Sequence, residues 1–461
     1  MGVVIPQVVT SDRASGAQVI DGSLKFNAGN SGHLKRTPGS ASNRRTWTWA
    51  AWVKRTVYGA DKFIFSAGSD ASNQHYLRFK SNNTLEATEK ISDSTQSSLI
   101  TNAVHRDTGW YHLVYVFDST QSTSSDRVCL YVNGVKQTSL STNTYPSQNH
   151  QSYINNTSAH YIGSSPIPSA YYDGSISQVY LIDGAALGPE NFGFTDPLTN
   201  TWRPKKYNHR TDLYGVTWSS ALVGDASGFP SPATAASGFN GKVGTDDGAY
   251  AQNSTGTNPS TITFTPVGGI KFNSSIQVYL INAANTVNVN GEGAQSIAAN
   301  EWVTVKTGSG TLNTLVFSRP STNGASFGGI RIDGHILIDA QNDNSFYLPM
   351  DGNSPIGQDK SGQGNNYTPV NFGGSVALDN PQVSGAKPIL NTTPGGTQAG
   401  VGVFGSKQNV GYAVTVYDDG GGNKYYIDGV KQATLTGLIR GATYTFDTSD
   451  STIGSTHPFR L

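Results

Sequence analysis

Carboxylate pairs are the first chemistry to look for, because hydrolysis of a glycosidic bond with retention needs two of them facing one sugar about 5 to 5.5 Å apart. The chain has five glutamates, Glu86, Glu89, Glu190, Glu292 and Glu301. None lies two residues from another carboxylate in a strand-like run. Glu86 and Glu89 are three apart, which in a strand sends them to opposite faces. The nine histidines are scattered. No His-Glu-x-x-His, no serine elbow and no phosphate-cradling glycine loop ahead of a helix is expected. These patterns predict a chain that is not an enzyme.

Binding chemistry is better supplied. A sugar ring stacks on an aromatic face while its hydroxyls need amide or carboxylate partners. Two loops have that composition: Tyr145 to Tyr153 (YPSQNHQSY), with Tyr145 and His150, and Tyr171-Tyr172-Asp173. Tyrosines at strand ends are also common packing residues. Asp351, Asp359 and Asn365 offer hard oxygen ligands within a glycine-rich loop, or serve as Asx-turn residues that stabilise it.

The elements that must position these groups are strands. Charged residues are only 13% of the 461, and 53 glycines with many Ser, Thr and Asn favour turns and strands over helices. Thirty-one basic and 31 acidic side chains cancel, so no overall field recruits nucleic acid or an anionic membrane. No run of about 18 apolar residues is present to insert in a membrane, and the first residues lack the basic and long apolar regions of a signal peptide. Cys129 is the sole cysteine, so it has no intrachain disulfide partner; it reads as a small strand side chain.

Alternation in Thr46 to Lys54 puts Trp47, Trp49, Ala51 and Val53 on one face, the natural core face. Trp110 to Asp118 is apolar on both faces, as in a central strand. Asn133-Gly134 suits a type I′ hairpin, and ALGPENFG suits one helical turn with Pro189 early in it. The spacing predicts an N-terminal arm (1–19), a first antiparallel β-sandwich (20–205), a second small β-sandwich (206–344), a connector or strand returning to the first sandwich (345–395), and a C-terminal β module (396–461). That last module has too few strands to close alone and is either completed by a partner or incomplete; its hairpin at Asp428-Gly429 mirrors the one at Asn133-Gly134. The fold class is all-β.

The segments SLKFN (23–27), RRTWTWAAWVKR (44–55), FSAG (65–68), GWYHLVYVFD (109–118), RVCLYVNGVKQ (127–137), HYIG (160–163) and YYDGSISQVYLIDGAAL (171–187) together resemble the concanavalin A-like, LamG-like jelly-roll sandwiches found in virion proteins of tailed phages, especially marine ones. The glycoside hydrolases of that superfamily carry a Glu-x-Asp-x-Glu strand, which this chain lacks. The resemblance implies a virion protein exposed on the particle exterior, such as a tail fibre or appendage subunit. It would be homo-oligomeric, with a trimer as one form, and would bind other virion proteins and a host-surface glycan. The alternatives are a capsid decoration or connector protein, and a bacterial surface adhesin. It also implies calcium at a loop rim, for which Asp351, Asp359 and Asn365 are the candidates. The C-terminal segment is similar to small cupredoxin-like modules, but no Cys or Met follows His457 to complete a copper site.

Overall fold

The computed structural model describes residues 17–372 and 409–453, apart from 19, 21, 226–227, 255–257, 282–284, 321–323, 353, 419 and 433–442. Most of the N-terminal arm, residues 373–395 of the connector, and His457 with the HPFRL ending lie outside the described residues. The chain divides into two units, residues 1–391 and 392–461.

Two antiparallel sheets make the first sandwich. One is ordered Leu24–Phe26, Gly174–Asp183, Thr46–Arg55, Trp110–Asp118, Val128–Val132 and Val135–Lys136, with Phe346–Leu348 also paired to Gly174–Asp183. The other runs Leu140–Thr144, Ser94–Val104, Thr84–Ile91, Gln74–Phe79, Lys62–Gly68, His160–Ile162, His33–Arg36 and Thr368–Val370. Trp47, Trp49, Ala51 and Val53 are all fully buried in the core between them. Trp47 stacks on Phe117 at 5.2 Å and Trp49 on Phe65 of the facing sheet at 5.5 Å. Burial of side chains this large stabilises by roughly 1.5 to 3 kcal/mol each, so this one strand anchors the sandwich. The central strand Trp110–Asp118 buries its second face too, where Val114 and Val116 meet Ala50, Cys129, Tyr180 and Ile182.

Residues 346–370 belong to this sandwich. Phe346, Leu348 and Tyr367 lie in its core, and the strands Phe346–Leu348 and Thr368–Val370 add one to each sheet. The second sandwich is thus inserted between the strand Gly174–Asp183 and its late partner. Its sheets are Leu222–Gly224, Ser260–Phe264, Leu315–Arg319, Thr286–Val289 and Ala294–Ser296 on one side, and Ala251–Gln252, Ser326–Ile332, Ser275–Leu280 and Trp302–Thr307 on the other. Phe317 and Phe327 stack at 4.5 Å in its core.

The two sandwiches are joined by buried and part-buried polar groups. Arg331 pairs with Asp118 at 2.5 Å, both side chains 3% exposed or less. The Arg331 guanidinium also lies 3.8 Å from the ring centre of Trp302, whose indole N–H donates to Thr120 Oγ1 at 3.0 Å. The side chain of Asn149 donates to the Val243 carbonyl at 2.6 Å and accepts from the Val243 N–H at 3.0 Å.

The second unit holds a sheet in which Asn409–Asp418 pairs antiparallel with Asn423–Ile427 and parallel with Thr443–Asp447. Asp428 and Gly429 take φ values of 50° and 76°, matching 49° and 82° at Asn133 and Gly134; both are the left-handed pair that a type I′ turn requires. Among the described residues no helix is long and apolar enough to cross a membrane.

Candidate functional site

The loop residues singled out for sugar stacking are mostly committed elsewhere. Tyr172 is fully buried: it packs edge-on against Phe26 at 6.1 Å, and its hydroxyl donates to the Lys54 carbonyl at 3.0 Å. Burial pushes its phenol above the ordinary value, and no sugar can reach the ring. Asp173 pairs with Lys62 at 2.5 Å and accepts from the Ala28 N–H at 2.8 Å, which ties down the first strand. Tyr171 is half-buried beside His33, ring centres 5.7 Å apart, with its hydroxyl on the Pro168 carbonyl. Tyr145 packs against the core, and His150 holds Glu89 at 2.8 Å while its neighbour Asn149 grips the second sandwich. The loop Tyr145 to Tyr153 is therefore a joint between sandwiches and not an open rim.

The proposed calcium ligands close a loop instead. Asp359 accepts from the N–H groups of Tyr347, Ser361 and Asn365 and from the Ser361 hydroxyl, each at 2.8 or 2.9 Å. Four donors already point their positive ends at its two oxygens, so a cation there would be repelled. The Asn365 amide is spent on Arg36 and on the carbonyls of Asp343 and Ser345. Asp351 is half-buried. Among the described residues no three His, Cys, Asp or Glu side chains are grouped to hold a metal.

One cluster of chemistry-bearing residues escaped the sequence reading. Glu86 and Glu89 face opposite sides, and Glu89 points between the sheets. His75 Nδ1 lies 3.5 Å from Glu89 Oε1 and 2.8 Å from Ser152 Oγ, while its Nε2 lies 2.6 Å from the Tyr115 hydroxyl. Burial alone would raise the Glu89 pKa; His75 and His150 outweigh it and hold the carboxyl at about 2. A serine–histidine–carboxylate relay needs serine and carboxylate on opposite ring nitrogens, and here both sit on Nδ1. His75, Glu89 and Ser152 are all fully buried. The cluster braces the loop that carries Asn149. The spacing Gly-x-Ser-x-Gly does occur, at Gly324 to Gly328, but Ser326 is fully buried at the start of a strand, accepting from Asn285.

The outer face of the eight-stranded sheet carries an in-register row of Lys35, Tyr161, Ser66, Tyr76, Thr88 and Ser98. It is packed shut. Tyr76 and Tyr161 are 5% and 6% exposed, and the Arg78 guanidinium lies over both Tyr76 and Phe63 while pairing with Glu86 and Asp61 at 2.7 Å.

Open space lies on the opposite sheet, in a cleft of about 220 Å³. A bulge in Gly174–Asp183 creates one wall. Gln178 takes φ 52°, and the register to the neighbouring strand shifts between Ser177 and Tyr180. A one-residue shift exchanges faces in a strand, so Val179 and Leu181 enter the core and Tyr180 and Ile182 turn outward. Opposite Tyr180 in the ladder is Tyr347, turned out because Phe346 and Leu348 turn in. The two rings stack at 4.4 Å and 7°. The Tyr347 hydroxyl donates to Gln178 Oε1 at 2.5 Å, and burial raises both phenols above their ordinary pKa.

The linker after the first sandwich and the returning segment form the other walls. Tyr207 packs edge-on to Tyr180 at 6.2 Å, and its hydroxyl meets His335 Nε2 at 2.8 Å. His209 Nε2 is held by Asp343 at 2.5 Å, and its buried Nδ1 has no hydrogen-bond partner among the described residues. Lys206, Asn208 and Lys360 line the cleft with exposed side chains. Aromatic rings beside an amide, a hydroxyl and amines suit a small polyhydroxylated ring. The Phe346-Tyr347-Leu348 alternation was the available sequence signal for Tyr347; nothing in the sequence marks the bulge at Gln178.

No curated protein matches the chain. Among solved structures it is similar to the heptameric SAP-like pentraxin of Limulus polyphemus (19% identity over 36% of this chain and 77% of that one, TM-score 0.27). It is also similar to the enzymatically active domain of tailspike protein 2 from bacteriophage CBA120 (13%, over 37% and 28%, TM-score 0.26) and to domains LG4-5 of the mouse laminin alpha1 chain (11%, over 72% and 89%, TM-score 0.28). Residues 28–190 match the family model of the concanavalin A-like lectin/glucanases superfamily. The chain thus carries, in its first sandwich, a lectin-like domain of that superfamily.

Proposed function

We propose that this chain is a non-enzymatic virion protein of a tailed phage, a tail fibre or appendage subunit on the particle exterior, whose lectin-like domain attaches to a host-surface glycan. In this reading the sugar lies in the cleft between the strand Gly174–Asp183, the linker at 206–209 and the segment 346–361. The observation that carries it is the half-buried ring of Tyr347, backed by the buried ring of Tyr180 and set at the edge of open space by a bulge and a returning strand. Virion kinship rests on the ordered set of segments between residues 23 and 187. Copies of the chain assemble as a homo-oligomer with other virion proteins, and the binding requires no cation.

The test is retention of fluorescently labelled full chain on bacterial cells, with polysaccharide extracted from their surface as competitor. Retention abolished by the polysaccharide and by Tyr347→Ala supports the reading. Retention indifferent to excess polysaccharide on every strain sinks it.

A further inference from the structure

We propose that the sugar taken by this cleft is acidic, a single pyranose ring bearing a carboxylate. The inference rests on the glycan reading above and names its ligand class. Two cationic side chains, Lys206 from the linker and Lys360 from the returning segment, line the one cleft. Neither ammonium group has a hydrogen-bond or ion-pair partner among the described residues, and both side chains are exposed. The nearby carboxylates bond elsewhere while keeping their charge: Asp343 accepts from His209 at 2.5 Å, Asp359 from four N–H and O–H donors, and Asp212 and Asp333 from Arg210.

The two unpaired ammonium groups stand out in a chain whose charges cancel overall. Two like charges facing one space disfavour each other, and an anion between them relieves that. The rest of the lining argues against a bare inorganic anion. The half-buried Tyr347 ring, backed by Tyr180, offers apolar surface that such an ion cannot use, and a sugar ring can. His209 Nδ1, buried and unpartnered, suits a ring hydroxyl. At about 220 Å³ the cleft falls below the roughly 300 to 1,000 Å³ of sites for drug-sized ligands, which limits the recognised part to one ring.

The test titrates D-glucuronate, D-glucose and acetate into the full chain, following chemical shifts or heat. Glucuronate is expected to bind about two- to fivefold more tightly than glucose, since an exposed charge pair contributes up to about 1 kcal/mol. The ratio of glucuronate to glucose affinity should collapse toward one in a Lys206→Met, Lys360→Met double variant. It should also shrink between 50 and 500 mM salt, by roughly the ratio that screening imposes on exposed charges. Equal affinities for glucuronate and glucose overturn the acidic assignment and leave the glycan reading standing. Acetate binding as well as glucuronate reduces the cleft to an anion site and overturns the assignment. If neither sugar binds, the glycan reading falls and this inference with it. Both lysines are exposed, so the variant's circular dichroism should equal that of the parent chain.

Discussion

Replacing either member of the Asp118–Arg331 pair should have unequal effects. Removing one partner of a buried ion pair costs about 3 to 5 kcal/mol, because a charge is left without its counter-charge. Asp118 has other support: it accepts from the hydroxyls of Thr46 and Thr120, the Thr120 N–H and the Gln121 amide. With Arg331→Met it stays hydrogen-bonded, which places the loss near about 3 kcal/mol. Arg331 has less: apart from Asp118 it donates to Thr120 Oγ1 at 3.0 Å and lies over Trp302, while its Nε has no partner among the described residues. Asp118→Asn therefore leaves a buried cation almost alone, at about 5 kcal/mol. Urea unfolding of the full chain, followed by tryptophan fluorescence and circular dichroism, measures both. Losses below about 1 kcal/mol for each, or a larger loss for Arg331→Met than for Asp118→Asn, would refute the reasoning that this buried pair joins the sandwiches.

Acid should destabilise the protein well above the carboxylate range. Burial depresses His112, His160 and His335 to about 3 each. The unfolded chain takes up protons near the ordinary value of about 6.5, so their contribution is intact above that pH and is lost as pH falls from there toward 3. By pH 5 each removes about 2 kcal/mol, about 6 for the three; urea midpoints unchanged between pH 7 and 5 would contradict their burial as neutral rings. Gly134→Ala should cost about 1 to 3 kcal/mol, because at φ 82° a Cβ would sit 2.4 Å from the Trp202 ring; a melting temperature equal to the parent's would count against that contact. Chelation with EDTA should leave both glycan binding and the melting temperature unchanged, since Asp359 spends its oxygens on four donors; a clear drop in either, restored by calcium, would reinstate a metal at that loop.

Local patterns carried the fold. Period-two alternation placed Trp47, Trp49, Ala51 and Val53 on the core face because each strand has one buried side, and Asn-Gly or Asp-Gly pairs marked turns because their φ values suit few other residues. Site geometry was harder to read, because it depends on partners far along the chain. Tyr347 and Gln178 meet across 169 residues, and His150 and Glu89 across 61. Composition made Tyr172 and Asp173 look like a sugar platform, yet the same residues serve equally well as a core ring and a strand tether. The bulge at Gln178, which turns Tyr180 outward, has no glycine to announce it.

The central claim is that the lectin-like chain binds glycan through the cleft and not through the Tyr171 rim. A glycan array probed with the full chain, Tyr347→Ala and Tyr171→Ala tests it most directly, with Tyr347→Phe as a control that keeps the ring. Tyr171→Ala and Tyr347→Phe should retain the parent's signals while Tyr347→Ala loses them. Signals lost in Tyr171→Ala and kept in Tyr347→Ala would contradict it.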